Sequence, residues 1–250
     1  MSASYDFATT HTRTKRLLAE HEKLKRLGYE KLNFGCGDYP LPGWTNTDGG
    51  DGHYWLMPDN ASIVQLDIAE FLALVPDNSV HYIASEQFLE HFSRQNAWNI
   101  CKQWYRVLQP TGVLRIQVPC LTYMCKMYLN QVPFADWKTV QKPRRMLHVL
   151  KGVGDNSINT EKDPNRVLYA GEDLLPCHVV NMGFYCDGHS YVYDFDYFNQ
   201  ALRLMGFREV VQCKFGESTH EALRGIDRHD GGETGKGWIP EIALCVEAIK

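Results

Sequence analysis

The sequence predicts an α/β fold: a doubly wound, mostly parallel sheet of seven strands, with an N-terminal helix and an insertion after the fifth strand. Three observations carry that expectation. Lys31-Leu32-Asn33-Phe34-Gly35-Cys36-Gly37 is a short apolar run ending in two glycines. Strand-like and helix-like segments then alternate as far as Pro119, which implies parallel pairing through crossover helices. A helix at 194–205 and strands at 210–215 and 241–249 complete the pattern.

In chain order, Arg13 to Leu27 places Leu17, Leu18, Leu24 and Leu27 among charges and stops at Gly28, an amphipathic helix. The first strand is 31–35. A Pro-Leu-Pro-Gly turn leads to the second, Gly43 to Asp48, and Ile63 to Asp67 is the third. A short helix over 68–75 and a turn at Asp77-Asn78-Ser79 precede the fourth strand, 80–84. Ala97, Ile100, Cys101, Trp104, Val107 and Leu108 recur at helical spacing within 93–108, and Pro110-Thr111-Gly112 ends that helix before a fifth strand, 112–118. Beyond Pro119 the periodicity loosens until 194. The stretch 216–239 is polar, glycine-rich and long for a loop inside a compact domain.

Composition narrows the classes. At 250 residues, with 44% hydrophobic and 22% charged content, the chain suits one globular domain. A net charge of −4 leaves no broad basic footprint for nucleic acid, and Lys142-Pro143-Arg144-Arg145 reads as a solvated loop. No stretch approaches the ~18 apolar residues of a membrane span. The first residues lack the layout of a secretory signal. Eight cysteines without a Cys-x-x-Cys pair fit reduced thiols in a cytoplasmic protein.

An apolar strand entering a glycine turn lets a ligand approach bare backbone, and Asp48, eleven positions after Gly37, can accept both hydroxyls of a ribose. A nucleoside-containing cofactor is therefore expected. A dinucleotide needs a third glycine and an acid about 20 residues on. Here Pro40 stands at the third glycine position and the acid comes early. A cofactor without a pyrophosphate needs no phosphate-binding helix.

Six features fall in order: the glycine motif, Asp48, Leu66-Asp67-Ile68, Ala84-Ser85-Glu86-Gln87-Phe88-Leu89-Glu90-His91, Arg106-Val107-Leu108-Gln109-Pro110-Thr111-Gly112, and Leu204-Met205-Gly206-Phe207. Together they resemble the class I S-adenosylmethionine-dependent methyltransferases of the small-molecule type 11 group, over roughly 31–119 and 194–250. The resemblance implies a Rossmann-like fold and S-adenosylmethionine as cofactor. It divides a single domain, 1–250, into an N-terminal helical segment (1–30), a cofactor-binding half (31–119), a substrate-side insertion (120–193) and a C-terminal part (194–250). It assigns Asn33, Gly35, Cys36 and Gly37 to the cofactor turn, Asp48 to the ribose, and Asp67 and Ile68 to adenine. Ser85 and Glu86 line the methionine portion. The alternative for Asp48 is a turn or capping aspartate, and for Asp67 a helix N-cap.

Some related enzymes carry Glu-x-x-Glu-His after strand four, where two acids and the histidine bind a divalent metal. Gln87 occupies the first of those positions. A neutral amide is a poorer ligand for a hard cation, so no metal is expected. His91 remains a general-base candidate, with a packing role at the helix start as the alternative. Gly188-His189-Ser190-Tyr191-Val192-Tyr193-Asp194 supplies a second candidate, His189, just before a helix. His148 and His178 read as surface histidines. The titratable groups from Glu217 to His229 suit either a lid or a solvated hairpin.

The expected activity is methyl transfer to a small molecule or saccharide, with a hydroxyl favoured over an amine and general-base help optional. Ser85-Glu86-Gln87-Phe88 lacks the Pro-Pro-aromatic signature of nucleic-acid amino-methyltransferases, which agrees with the acidic balance. The alternative is a non-catalytic module that binds the cofactor or a partner on the same fold.

Overall fold

A computed structural model describes residues 7–37, 39–49, 62–129, 131, 180, 181, 184, 188–227 and 243–250, with side chains from Leu17 onward. Lys142 to Arg145, His148, His178, most of the 120–193 insertion and 228–239 lie outside the described residues.

Seven strands form one sheet: β1 (Lys31–Phe34), β2 (Thr45–Thr47), β3 (Ile63–Val64), β4 (Val80–Glu86), β5 (Leu108–Pro119), β6 (Glu209–Cys213) and β7 (Ala243–Ile249). Their order is β3-β2-β1-β4-β5-β7-β6. Every pairing from β3 across to β5 is parallel, whereas β7 runs antiparallel to both β5 and β6. The sheet is thus doubly wound and mixed, with one reversed strand inserted near the edge.

Among the described residues, helices α1 (Phe7–Leu27), α2 (Ile68–Leu74), α3 (Arg94–Val107), α4 (Leu121–Tyr128) and α5 (Phe195–Met205) flank it. Side chains start three of them by accepting an orphan amide: Asp67 from Ala69 N at 2.8 Å, Ser93 from Asn96 N at 3.3 Å, and Asp194 from Tyr197 N at 2.8 Å. Helix α5 ends at Gly206, whose φ of 111° is left-handed. Helix α4 was not expected beyond Pro119, because its eight residues carry no polar cap. Strand β5 begins at Leu108 rather than 112. It absorbs Pro110 and Thr111 (φ 75°) through a register shift against β4 between Val80 and Tyr82.

Alternation along the strands gives the sheet two unlike faces. Leu32, Phe34, Ile83, Leu114 and Ile116 belong to a large apolar core with Phe71, Trp104, Phe198 and Leu202 of the helices. The opposite face carries a row in register across the sheet: Asn46, Asn33, Ala84, Arg115 and Glu247. All five are buried. Among the described residues, chain segments around 41–44 and 214–227 cover it, with Leu41, Trp44, Ala84, Val113 and Leu223 forming a small second core.

Candidate active site

The chain leaves β1 through Gly35 and Gly37, both with positive φ (71° and 48°). The two glycines do different work. A Cβ at Gly35 would lie 2.6 Å from the Phe88 ring, so that glycine is required by packing as well as by conformation. Among the described residues, a Cβ at Gly37 would meet nothing within 4 Å. Open space beside the turn is therefore at Gly37. The amides of Gly35 and Cys36 donate to Thr47 O at 2.9 and 3.3 Å, which clamps the turn to β2. Asp48 follows directly, and its Oδ2 accepts from Gly37 N at 2.8 Å.

Asp48 thus braces the glycine turn that sequence spacing pairs it with. Cys36 is buried, and Asn33 donates to Asn46 Oδ1 at 2.9 Å within the polar row. Asp67 is exposed and caps α2, and Ile68 is partly buried against the core. At the carboxyl end of β4, Ser85 is buried and its hydroxyl has no hydrogen-bond partner among the described residues, while Glu86 is half-buried. Asn33, Gly35, Cys36, Ser85 and Glu86 line a pocket that extends back to Tyr39, Arg115, Ile226 and Asp227. An orphan hydroxyl beside a bare turn is suited to a polar ligand.

The two histidine candidates converge. A 3-10 turn, Leu89–His91, carries the chain from β4 toward α3. The amides of Ser190 and Tyr191 donate to Glu90 O at 2.6 and 3.2 Å, and Ser190 Oγ donates to His91 O at 3.2 Å. Tyr193 Oη reaches Leu89 O at 3.4 Å, and Leu121 N donates to Tyr193 O at 2.8 Å. These bonds hold 189–193 against the end of β4 and bring the His91 and His189 rings to 5.0 Å between centroids, edge to face. His91 is exposed and His189 half-buried. Next to His91 in the chain, Glu90 is fully buried, and neither carboxylate oxygen has a hydrogen-bond partner among the described residues. Burial pushes its pKa up to about 8; nearby backbone amides oppose the rise and the charge of Glu86 adds to it.

Gln87, the glutamine of the Glu-x-x-Glu-His position, takes a left-handed φ of 48°. Its amide N donates to Gln117 O at 2.9 Å and its side chain donates to Gln117 Oε1 at 2.8 Å. That contact ties the end of β4 to β5.

Sequence reasoning missed the pocket's back wall. Arg115 is buried and donates to Asp227 at 3.0 and 2.5 Å and to Glu247 at 2.6 Å, and also to Glu217 O at 3.1 Å. Burial works against its charge, but Asp227 and then Glu247 hold its pKa above the ordinary arginine range. Asp227 also accepts from Gly216 N at 2.6 Å. The described part of the late segment, up to Asp227, is therefore fastened to the sheet. A signal was present: an arginine inside Val-Leu-Arg-Ile-Gln-Val demands a buried partner.

The family described as a methyltransferase domain matches residues 51–116, the stretch containing β3, β4 and α3. Among the curated proteins compared, none matches the chain. Solved structures that resemble it include an S-adenosylmethionine-dependent methyltransferase from Archaeoglobus fulgidus (14% identity, TM-score 0.47, 98% of this chain and 100% of that one). Another, from Mesorhizobium loti, has 14% identity and a TM-score of 0.44 over 93% of this chain and 96% of that one. A third is phosphoethanolamine N-methyltransferase 2 of Haemonchus contortus (13% identity, TM-score 0.40). The match covers 93% of this chain but spans only 52% of that one.

The strand order is that of the Rossmann-like methyltransferase fold, and the family match covers about a quarter of the chain. A methyltransferase domain on this fold supports an S-adenosylmethionine-dependent enzyme.

Proposed function

We propose that the protein transfers the methyl group of S-adenosylmethionine to a hydroxyl of a small molecule or saccharide. The convergence of His91 and His189 at the carboxyl end of β4, beside the cofactor residues Ser85 and Glu86, carries this reading. When bound, the cofactor supplies an electrophilic methyl group on a sulfonium.

On the cofactor side, the open flank of Gly37 and the free valence of the Ser85 hydroxyl receive the methionine portion. Asp48, already placed by the Gly37 amide, reads the ribose diol, and Asp67 and Ile68 bracket adenine. On the acceptor side, an imidazole of the pair removes the acceptor's proton. An amine can attack with its lone pair while still neutral, but an aliphatic hydroxyl is a weak nucleophile until it loses its proton. A pair of imidazoles is therefore better matched to oxygen than to nitrogen. The net charge of −4 favours a small acceptor over nucleic acid.

Radiolabelled S-adenosylmethionine with panels of hydroxylated metabolites, saccharides and amines tests the reading. Label transfer to a hydroxyl acceptor is the expected result. Transfer to amines alone would overturn the oxygen assignment. Tight S-adenosylhomocysteine binding without turnover on any acceptor would favour the non-catalytic module.

A further inference from the structure

We propose that Glu20 and Lys23 of α1 are positioning residues for recognition of the cofactor's adenine, an inference that rests on the assignment of Asp67 and Ile68 to that base. Both side chains are nearly buried, 9% and 11% exposed, and Lys23 Nζ donates to Glu20 Oε1 at 2.8 Å. The same helix carries a second pair at the same spacing: Lys25 bonds Glu22 at 2.7 Å, with side chains 64% and 72% exposed. An exposed pair of that kind contributes little to stability. A buried pair must offset the removal of two charges from water, which requires that its remaining donors and acceptors also find partners.

Those partners lie on the edge of the sheet. Strand β3 stands last in the strand order and pairs with β2 through Asn46↔Ile63 and Thr47↔Val64. On its outer side, Lys23 Nζ donates to Ile63 O at 3.1 Å, and Glu20 Oε2 accepts from Gln65 N at 2.8 Å. A donor for one carbonyl and an acceptor for the amide two positions on is what a further strand would supply. The ion pair thus takes the place of that strand. Leu24 is fully buried, and Leu17 and Leu27 pack against the core, so the helix that presents the pair is itself held in place.

The consequence falls on residues 66–68. Strand β3 is two residues long, too short for its own ladder to fix the chain beyond it. From Gln65 the chain passes through buried Leu66 to Asp67, which caps α2, and to Ile68. The Glu20 bond therefore fixes the backbone two positions before the carboxylate that would accept from the exocyclic amine. A hydrogen bond weakens steeply with misalignment, whereas apolar packing is non-directional. A shifted sheet edge should cost recognition of the amine more than contact of the base with Ile68.

Calorimetry with two ligands separates positioning from mere stability: S-adenosylhomocysteine, and S-inosylhomocysteine, in which an oxygen replaces the exocyclic amine and faces the Asp67 carboxylate with an acceptor. Wild-type protein should prefer the adenosyl ligand by at least about tenfold. In Glu20→Ala, affinity for the adenosyl ligand should fall about fivefold and affinity for the inosyl ligand by less than about twofold, so that most of the preference disappears. Glu20→Gln keeps an oxygen for the Gln65 amide and should restore most of it. Lys23→Met keeps the apolar stem and should lower the preference in the same direction; it carries the test if circular dichroism shows Glu20→Ala unfolded. Glu22→Ala, from the exposed pair, should change neither affinity. Equal weakening of both ligands, or a lower melting temperature with the preference intact, makes the pair structural only and overturns the proposal while sparing the adenine assignment. No preference in the wild type overturns both.

Discussion

The two faces of the sheet are held by different physics. On one, Phe34, Ile83 and Leu114 meet Phe71, Trp104 and Leu202, and helices cover the strands by apolar burial. On the other, Asn46 and Arg115 work from inside the row as fasteners. Asn46 bonds Leu41 N at 2.7 Å, and Leu41 O and Trp44 O at 3.0 Å each, while Arg115 gathers Asp227, Glu247 and the backbone of Glu217. Irregular segments cannot bury a stripe of side chains as a helix does, so their backbone groups need polar anchors within the sheet. The pocket opens on this second face, and the histidine pair lies where the chain crosses toward the first. Stability on the apolar side and shape on the polar side should therefore respond separately to substitution.

The largest effect belongs to the helix-covered face. Phe34→Ala removes a ring that packs 5.3 Å from both Phe71 and Trp104. We expect a loss of about 4 kcal/mol in urea unfolding. A loss below about 1 kcal/mol would mean that this core is not the stabilising one.

Asp227→Ala probes the opposite face. It leaves buried Arg115 with Glu247 as its one carboxylate partner among the described residues and takes the acceptor from Gly216 N. A cost of about 3 kcal/mol is expected. Because Arg115, Ile226 and Asp227 line the pocket, this variant should also lose affinity for whatever the pocket holds, which Phe34→Ala at equal residual stability should not. Equal behaviour of the two would erase the distinction between faces.

His189→Ala tests the crossing between them. We expect kcat/KM to fall by about 100-fold, near 2.7 kcal/mol, with S-adenosylhomocysteine affinity unchanged within about twofold. A fall in cofactor affinity of similar size would move His189 to the cofactor side.

The two faces also differ in how far the sequence reveals them. The apolar face follows from periodicity: the strands at 31, 45, 63 and 80, the helix capped by Ser93 and the helix stopped by Gly206 all stand within a few residues of expectation. Periodicity reports which side of an element avoids water, and helices over strands satisfy it locally. The polar face depends on partners far apart in the chain. Arg115 and Asp227 are separated by 112 positions, and nothing near either names the other. The site divides in the same way. The Gly37–Asp48 contact joins residues only eleven positions apart, whereas the meeting of His91 with His189 depends on Ser190 and Tyr191 bonding to Glu90. Gly35 shows a subtler limit. A glycine motif read as room for a ligand is, at its first position, room for Phe88.

Asp48→Ala should weaken S-adenosylhomocysteine at least tenfold in calorimetry, about 1.4 kcal/mol. Because Asp48 also braces Gly37, Asp48→Asn is the sharper variant: it keeps an oxygen for the amide and loses the charge. Affinity that is normal in both would remove Asp48 from the ribose site.

Asp67 carries the smallest effect and the cleanest separation of structure from binding. Its Oδ1 caps α2 through Ala69 N, and its side chain is exposed. Loss of that cap in Asp67→Ala should cost about 1 kcal/mol, while Asp67→Asn, an equally good N-cap, should cost almost nothing. The adenine role makes a different demand, an acceptor for an exocyclic amine. The asparagine oxygen that caps the helix cannot also serve there, and its amide nitrogen is a donor facing a donor. If Asp67 reads adenine, Asp67→Asn should keep the melting temperature and still bind S-adenosylhomocysteine several-fold more weakly. If it only caps the helix, affinity will follow stability: unchanged in the asparagine variant and slightly reduced in the alanine one. Thermal unfolding and calorimetry on these two variants decide whether an exposed carboxylate at the sheet edge belongs to the fold alone or also to the cofactor.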